Sequence, residues 1–127
     1  VDWYNDSKAT NVASAAKTLE GIGRPAVVLL GGKDKGGDYG PLLDVLAAGA
    51  RGAVVFGQAA PIIRRALAGT NIRFEVVDDV AQAVDVARRW ARPGDAVLLS
   101  PACSSYDQFR DYEQRGDTFR ELVENLT

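Results

Sequence analysis

Residues Ala26-Val27-Val28-Leu29-Leu30-Gly31-Gly32 form the stretch that decides the fold class. A continuous apolar run of this kind is typical of a strand that is buried on both faces of a parallel sheet. Similar runs occur at residues 53–56 and 96–99, and shorter strands are predicted at residues 3–5 and 72–76. These five segments predict the strands of a single sheet.

Segments with apolar residues at helical spacing lie between these strands. Helices are predicted over residues 10–20, 41–48, 61–68 and 80–90, and a loop leading into an amphipathic helix over residues 109–126. The alternation predicts an α/β fold of Rossmann-like type, with a mostly parallel sheet and helices on both faces.

The composition fits one domain over residues 1–127, because 46% of the residues are hydrophobic and can form a buried core. The 15 basic and 17 acidic residues nearly balance, which argues against a nucleic-acid partner. No apolar stretch approaches transmembrane length, so we expect no membrane contact. The chain begins at Val1 and contains no methionine. We therefore expect a domain excised from a longer protein, the alternative being a small protein processed at its N-terminus.

Several kinds of chemistry are excluded by residue types that the chain lacks. There is no histidine, so no imidazole can act as a general base or metal ligand. Cys103 is the single cysteine, which excludes an internal disulfide and fits a reducing cytoplasm. Without a histidine to activate Cys103 or Ser100, a buried, inert thiol is favoured over a nucleophile, and a hydrolase triad is excluded. We predict no catalytic residue and no metal site within this chain.

Three short polar segments follow, or end, predicted strands. They are Asn5-Asp6-Ser7-Lys8-Ala9-Thr10-Asn11, Gly31-Gly32-Lys33-Asp34-Lys35, and Leu98-Leu99-Ser100-Pro101-Ala102-Cys103-Ser104-Ser105-Tyr106-Asp107-Gln108-Phe109. Loops at the carboxyl ends of parallel strands converge on one edge of the sheet, where ligands bind. We therefore expect the lysines, hydroxyls and glycines of these loops to meet over one anion.

The first two segments each allow a structural and a functional interpretation. Asp6 or Ser7 can cap the following helix. However, Lys8 at a helix N-terminus opposes the helix dipole unless it shares an anion with the helix amides, to which Thr10 can add a hydroxyl. The glycine-rich loop at residues 31–38 lacks the spacing of a phosphate-binding P-loop. It is either a flexible solvated loop or one whose backbone approaches a ligand closely.

Together the three segments resemble the C-terminal domain of the Mur ligases of peptidoglycan synthesis, most closely the branch that adds D-glutamate. The likeness runs almost end to end, and the third segment, residues 98–109, is its most specific part. Two residues depart mildly from the family pattern: Ser104 stands where the family usually has Ala, and Tyr106 where it usually has Leu or Phe. The stretch from Glu113 to Gly116 is also similar to the family and is interpreted as positioning the last helix.

The resemblance implies roles for residues of the first two segments. Asp6 would bind the ribose hydroxyls of ATP, and Lys8 would lie near its phosphates. Thr10 would contact a carboxylate of D-glutamate. Lys35, the lysine of the Gly-Gly-x-x-Lys pattern, would pair with the α-carboxylate of D-glutamate, and Lys33 is given no such role.

The third segment and the start of the last helix would form the rest of the amino-acid pocket. By resemblance, Ser105 and the backbone amide of Tyr112 would hold the γ-carboxylate of D-glutamate, and Tyr106 would belong to the pocket wall. ATP and Mg²⁺ would be bound mainly by a central domain outside this chain, and UDP-N-acetylmuramoyl-L-alanine by other domains. The chain alone would be inactive, cytoplasmic and monomeric.

Two rival interpretations remain from the sequence. The first is the C-terminal domain of another Mur ligase or of folylpolyglutamate synthase, against which the sequence of residues 100–109 argues. The second is a free-standing, flavodoxin-like module that binds a small molecule. That module would need neither a phosphate loop nor an acidic pocket, and the chain by itself shows neither.

Overall fold

The structure is a computed structural model that describes residues 1–126. A five-stranded sheet lies at its centre. Its strands are β1 (Asp2–Asn5), β2 (Ala26–Gly31), β3 (Ala50–Phe56), β4 (Phe74–Val76) and β5 (Ala96–Ala102). Their spatial order is β1-β5-β2-β3-β4, and every pairing between them is parallel. The structure confirms the predicted α/β fold.

Helices cover both faces of the sheet, as predicted. They are α1 (Val12–Ile22), α2 (Gly40–Gly49), α3 (Ala60–Ala68), α4 (Val80–Trp90) and α5 (Tyr112–Glu124). The first three pack on one face and the last two on the other, because successive strand residues point to opposite sides. In β2, for example, Val28 and Leu30 join the first core cluster, whereas Val27 and Leu29 join the second.

The start of α1 differs from the prediction. The helix begins at Val12 rather than at residue 10, because Asn11 is the N-cap and its side chain accepts a hydrogen bond from the Ser14 amide at 2.9 Å. The interpretation of Asp6 or Ser7 as the cap is therefore wrong. Both residues lie in the loop before the helix, where their side chains have other partners.

Strand β5 is longer than predicted and ends irregularly. It continues through Ser100 and Pro101 to Ala102, and all three residues are buried. The register with β2 shifts between Leu29 and Gly31, opposite Pro101, which has no amide hydrogen to donate. Ala102 has a φ of 64°, a left-handed conformation that is uncommon for alanine. The chain therefore turns sharply at the carboxyl end of β5.

At the carboxyl edge of the sheet, the connections from β5 and from its two neighbouring strands lead to opposite faces and leave a crevice at the end of β5. The segments after β1 and β2 lead to helices on one face, whereas the segment after β5 leads to α5 on the other. Because β5 lies between β1 and β2, the connections diverge on both sides of it. Such switch points in open parallel sheets are where ligand-binding crevices form.

An ion pair fixes the opposite, amino edge of the sheet. The Asp95 carboxylate, only 2% exposed, accepts hydrogen bonds from Nε and one terminal nitrogen of Arg51, each at 2.9 Å, and from the Arg92 amide. The Arg51 guanidinium lowers the pKa of Asp95 to about 2. No helix within residues 1–126 is long and apolar enough to cross a bilayer.

Candidate functional site

Three loops meet at the carboxyl edge of the sheet. Loop A (residues 6–11) follows β1, loop B (residues 32–39) follows β2, and loop C (residues 103–111) follows β5. Loop A accepts a hydrogen bond at its Ala9 carbonyl from the Ala102 amide at 3.0 Å. Loops B and C exchange two backbone hydrogen bonds between Lys33 and Ser104, at 2.8 and 3.3 Å. The predicted convergence of the three segments is therefore observed.

A cavity of about 290 Å³ lies between loops A and B and the end of β5. Thr10 and Lys35 both line it, together with Asp34, Tyr39 and Ala102. The structure thus brings together two of the residues predicted to contact D-glutamate. Their binding role stays a prediction.

Lys35 is exposed and forms no ion pair among residues 1–126, although Asp34 lines the same cavity. The two carboxylate oxygens of Asp34 each have another donor. Oδ1 accepts from the Tyr39 hydroxyl at 2.7 Å, and Oδ2 accepts from the Gly36 amide at 3.0 Å. The ammonium group of Lys35 is therefore available to an anionic ligand, because its neighbouring carboxylate is already satisfied.

Tyr39 connects loop B to loop C. Its ring is buried, and its hydroxyl lies 3.3 Å from Cys103 Sγ. Burial raises the pKa of Tyr39 far above its usual range, and it also raises the pKa of the Cys103 thiol. Cys103 is buried, as predicted, and a raised pKa keeps its thiol protonated. It serves as a packing and hydrogen-bonding group between the loops.

The residues predicted to hold the γ-carboxylate lie apart from this cavity. Ser105 is buried in loop C and is outside the lining of the cavity; its carbonyl accepts from the amides of Gln108 and Phe109. Tyr106 is 67% exposed, so its side chain projects away from the protein core. Tyr112 is the first residue of α5 and is also exposed. Nothing in the structure tests the roles predicted for these three residues.

Lys8 and Tyr112 share a second cavity. It has a volume of about 300 Å³ and lies between loop A and the start of α5, with Ser7 and Gly116 in its lining. Lys8 and Thr10 are only two residues apart, yet they line different cavities. This separation agrees with the prediction that Lys8 lies near the phosphates of ATP and Thr10 contacts a carboxylate of D-glutamate. It tests neither role.

The Asp6 carboxylate is partly engaged within the domain. Its Oδ2 atom accepts hydrogen bonds from the hydroxyls of Thr18 at 2.6 Å and Ser100 at 2.9 Å. A contact between Asp6 and a ribose hydroxyl therefore has to use Oδ1 or displace one of these donors. Among residues 1–126, no group of three or more Asp, Glu, Cys and His side chains is placed to hold a metal ion.

Arg115 is the functional-site residue whose importance sequence reasoning missed. Its side chain is completely buried, and it donates three hydrogen bonds. Nε donates to Ser7 Oγ at 3.0 Å, and one terminal nitrogen donates to the Ser7 carbonyl at 2.7 Å. The other terminal nitrogen donates to the Cys103 carbonyl at 3.1 Å. The guanidinium therefore joins loops A and C to α5.

A sequence signal for this contact exists in the residue that follows. Gly116 lies inside α5, where glycine is unfavourable unless another part of the chain comes close. A Cβ atom at Gly116 would lie 3.2 Å from Ser7 Cβ and 3.3 Å from the side chain of Asn5. The glycine thus marks the close approach of loop A, which Arg115 secures.

A further cavity lies elsewhere. It measures about 630 Å³ and is at the amino edge of the sheet, between the end of α1 and α2, with Leu19, Arg24 and Asp44 in its lining. It contains none of the predicted site residues. We assign the candidate site to the carboxyl edge, because that is where the loops carry convergent cationic and hydroxyl groups.

Fold and site together define a class: an open parallel α/β domain whose three carboxyl-edge loops present lysine and hydroxyl groups to an anionic ligand. The family model of the Mur ligase, glutamate ligase domain matches residues 1–103. The chain belongs to this family. Loop C beyond Cys103 and helix α5 lie outside the matched range.

Curated relatives cover nearly the whole chain, including that last part. The chain is 47% identical to the UDP-N-acetylmuramoylalanine--D-glutamate ligase of Thiobacillus denitrificans, over 99% of this chain and 27% of the relative. It is 46% identical to the ligase of that name from Salinibacter ruber, over 98% and 27%, and 42% identical to the one from Chlamydia abortus, over 97% and 29%. The chain thus spans about a quarter of the length of these relatives.

Proposed function

We propose that this chain is the amino-acid-binding domain of an ATP-dependent ligase that adds D-glutamate to UDP-N-acetylmuramoyl-L-alanine in peptidoglycan synthesis. The observation that carries the proposal is the cavity in which loops A and B bring Thr10 and Lys35 together. The names of the relatives supply the substrate class, which is a property of proteins about four times as long as this chain.

In the proposed reaction, ATP phosphorylates the free carboxylate of UDP-N-acetylmuramoyl-L-alanine, giving an acyl phosphate and ADP. The amine of D-glutamate attacks the acyl carbon, inorganic phosphate leaves, and the amine loses a proton as the amide bond forms. This chain contributes binding and orientation. Holding both carboxylates of D-glutamate leaves its amine as the only free polar end, so that the amine faces the acyl phosphate.

The α-carboxylate subsite is assigned to loops A and B. Lys35 pairs with the α-carboxylate, and its availability depends on Asp34 being satisfied by Tyr39 and Gly36. The Thr10 hydroxyl donates to a carboxylate from the other wall of the same cavity. A charge-assisted hydrogen bond of this type contributes about 1.5–3 kcal/mol to binding.

The γ-carboxylate subsite is assigned to the Ser105 hydroxyl and the backbone amide of Tyr112, with Tyr106 at its exposed side. Tyr112 is the first residue of α5, where the amides lack partners within the helix and favour an anion. Lys8 is the cationic side chain that shares a cavity with Tyr112, and it is exposed.

The nucleotide contacts are assigned to Lys8 for the phosphates and Asp6 for the ribose. Mg²⁺ would accompany ATP and neutralise charge on the transferred phosphoryl group, with its protein ligands mainly outside this chain. We place the reaction in the cytoplasm and expect a monomer.

The test compares two lysines of loop B in the full-length protein that carries this chain. Lys35→Ala should raise KM for D-glutamate about tenfold to a hundredfold, because a charge-assisted contact is lost, while KM for ATP changes little. Lys33→Ala is the matched control, since it removes an equal charge from the same loop and should change KM for D-glutamate by about twofold or less. Equal effects of the two substitutions would contradict the assignment.

A further inference from the structure

Arg115 is a buried cation that forms no ion pair among residues 1–126, although the half-buried Asp107 carboxylate is near enough to raise its pKa slightly against the effect of burial. Its side chain is 0% exposed. Its three hydrogen-bond acceptors are the Ser7 hydroxyl, the Ser7 carbonyl and the Cys103 carbonyl, all of which are neutral. Burying a charge is costly, and neutral acceptors offset that cost without neutralising the charge.

The guanidinium stays charged at neutral pH. Burial lowers the pKa of Arg115 to about 10, which still leaves the side chain protonated. The positive charge is therefore a permanent feature of the region between loop A, loop C and α5.

Short hydrogen-bonded paths connect this charge to the two residues that the proposed function gives to the γ-carboxylate. The Cys103 carbonyl that it binds is two residues before Ser105. Arg115 is also three residues after Tyr112, one helical turn along the same face of α5. Ser7 completes the connection, because its hydroxyl accepts from Arg115 and donates to the Tyr112 carbonyl at 2.6 Å.

We propose that Arg115 is the positioning and specificity-determining residue of the γ-carboxylate subsite, where its buried charge favours an anionic over a neutral ligand side chain. The inference rests on the proposed function and deepens it. Ser105 and the Tyr112 amide are neutral donors that also suit a neutral amide. We assign the preference for a carboxylate to the buried charge of Arg115, which adds to the positive end of α5. Lys8 shares a cavity with Tyr112 but is exposed, so salt screens its contribution.

The experiment measures discrimination between D-glutamate and D-glutamine, its neutral isostere, by the full-length protein that carries this chain. The readout is the inhibition constant of D-glutamine divided by KM for D-glutamate. A general loss of folded protein lowers the amount of active enzyme and leaves this ratio unchanged. Arg115→Met removes the charge at similar length and should lower the ratio about tenfold, because the subsite no longer distinguishes charge.

Two further variants separate charge from stability. Arg115→Lys keeps the charge and should hold the ratio within about threefold of the wild type, even where the weaker hydrogen bonding lowers stability. Arg51→Met is the matched control at the amino edge: it leaves Asp95 buried without its partner, yet should leave the ratio unchanged. An unchanged ratio in a folded Arg115→Met variant, or an equal fall in Arg115→Lys, overturns the inference.

A measurement on the wild type tests the same claim without any variant. A buried charge is hardly screened by salt, whereas exposed lysines are. The ratio should therefore stay constant between about 50 and 500 mM salt. A ratio that falls as salt is added would assign the discrimination to exposed charges; it would overturn this inference and leave the proposed function standing. A wild-type protein without D-glutamate-dependent turnover would overturn both the proposed function and this inference.

Discussion

Replacing Gly32 by alanine should destabilise the domain at the contact between loops B and C. A Cβ atom at this position would lie 2.1 Å from the Ser104 carbonyl oxygen and 3.2 Å from a terminal nitrogen of Arg115. The φ angle of Gly32 is 131°, which side chains rarely adopt. Because the nearest atom belongs to the backbone, the clash can only be relieved by moving loop C away from loop B.

The magnitude follows from what that movement breaks. The two backbone hydrogen bonds between Lys33 and Ser104 contribute about 0.5–1.5 kcal/mol each. A non-glycine residue at such a φ costs about 1–3 kcal/mol more. The free energy of unfolding should therefore fall by about 2–6 kcal/mol, a large part of the stability of a domain of this size.

The assay is equilibrium unfolding in urea, with two other glycines as controls. Gly36→Ala introduces strain alone, since φ is 79° and no atom lies within 4 Å of the added Cβ, so its effect should be smaller. Gly69→Ala has neither strain nor a close neighbour and should change the free energy of unfolding by about 0.5 kcal/mol or less. If Gly32→Ala matched Gly69→Ala, the close approach of loops B and C would be refuted.

Three further results are expected. The Arg51 guanidinium lowers the pKa of Asp95 from 3.8 to about 2, so the pair adds stability above pH 4 that is lost as the pH falls towards 2. The free energy of unfolding in urea should therefore differ between the wild type and Asp95→Asn by about 2 kcal/mol less at pH 2 than at pH 5. A difference that stays constant over this pH range would contradict the pairing. Tyr39→Phe removes the hydroxyl that donates to Asp34, so that the Asp34 carboxylate can compete with D-glutamate for Lys35. KM for D-glutamate should rise about threefold while KM for ATP stays unchanged. An unchanged KM for D-glutamate would count against this role of Tyr39. Lys8→Ala should lower kcat more than it weakens binding of UDP-N-acetylmuramoyl-L-alanine, and the reverse order in steady-state kinetics would remove Lys8 from the phosphate site.

Most of the fold follows from local sequence patterns. Helix α4 has the predicted bounds, because Asp79 caps it and its apolar residues recur at helical spacing. Strand β2 is a continuous apolar run and has nearly the predicted bounds, whereas β3 contains the predicted run at residues 53–56 but begins three residues earlier, through Arg51 and Gly52. These elements obey rules that operate over a few neighbouring residues.

The ends of elements at the site depend on tertiary contacts and were predicted less well. Strand β5 continues through Pro101 because its neighbours allow a register shift there. The burial of Arg115 could not be predicted from its place in a helix rich in charged residues, because it results from loops A and C closing over it. For the same reason, the separation of Lys8 and Thr10 into two cavities is visible only in three dimensions.

Loops A and B are proposed above to form a carboxylate site. The most direct measurement is a crystal structure of the full-length protein that carries this chain, with D-glutamate bound. We predict one carboxylate within about 3 Å of both Lys35 Nζ and Thr10 Oγ1, and the other at Ser105 Oγ and the Tyr112 amide. D-glutamate bound with neither carboxylate at Lys35 or Thr10, or in the cavity between α1 and α2, would contradict this prediction.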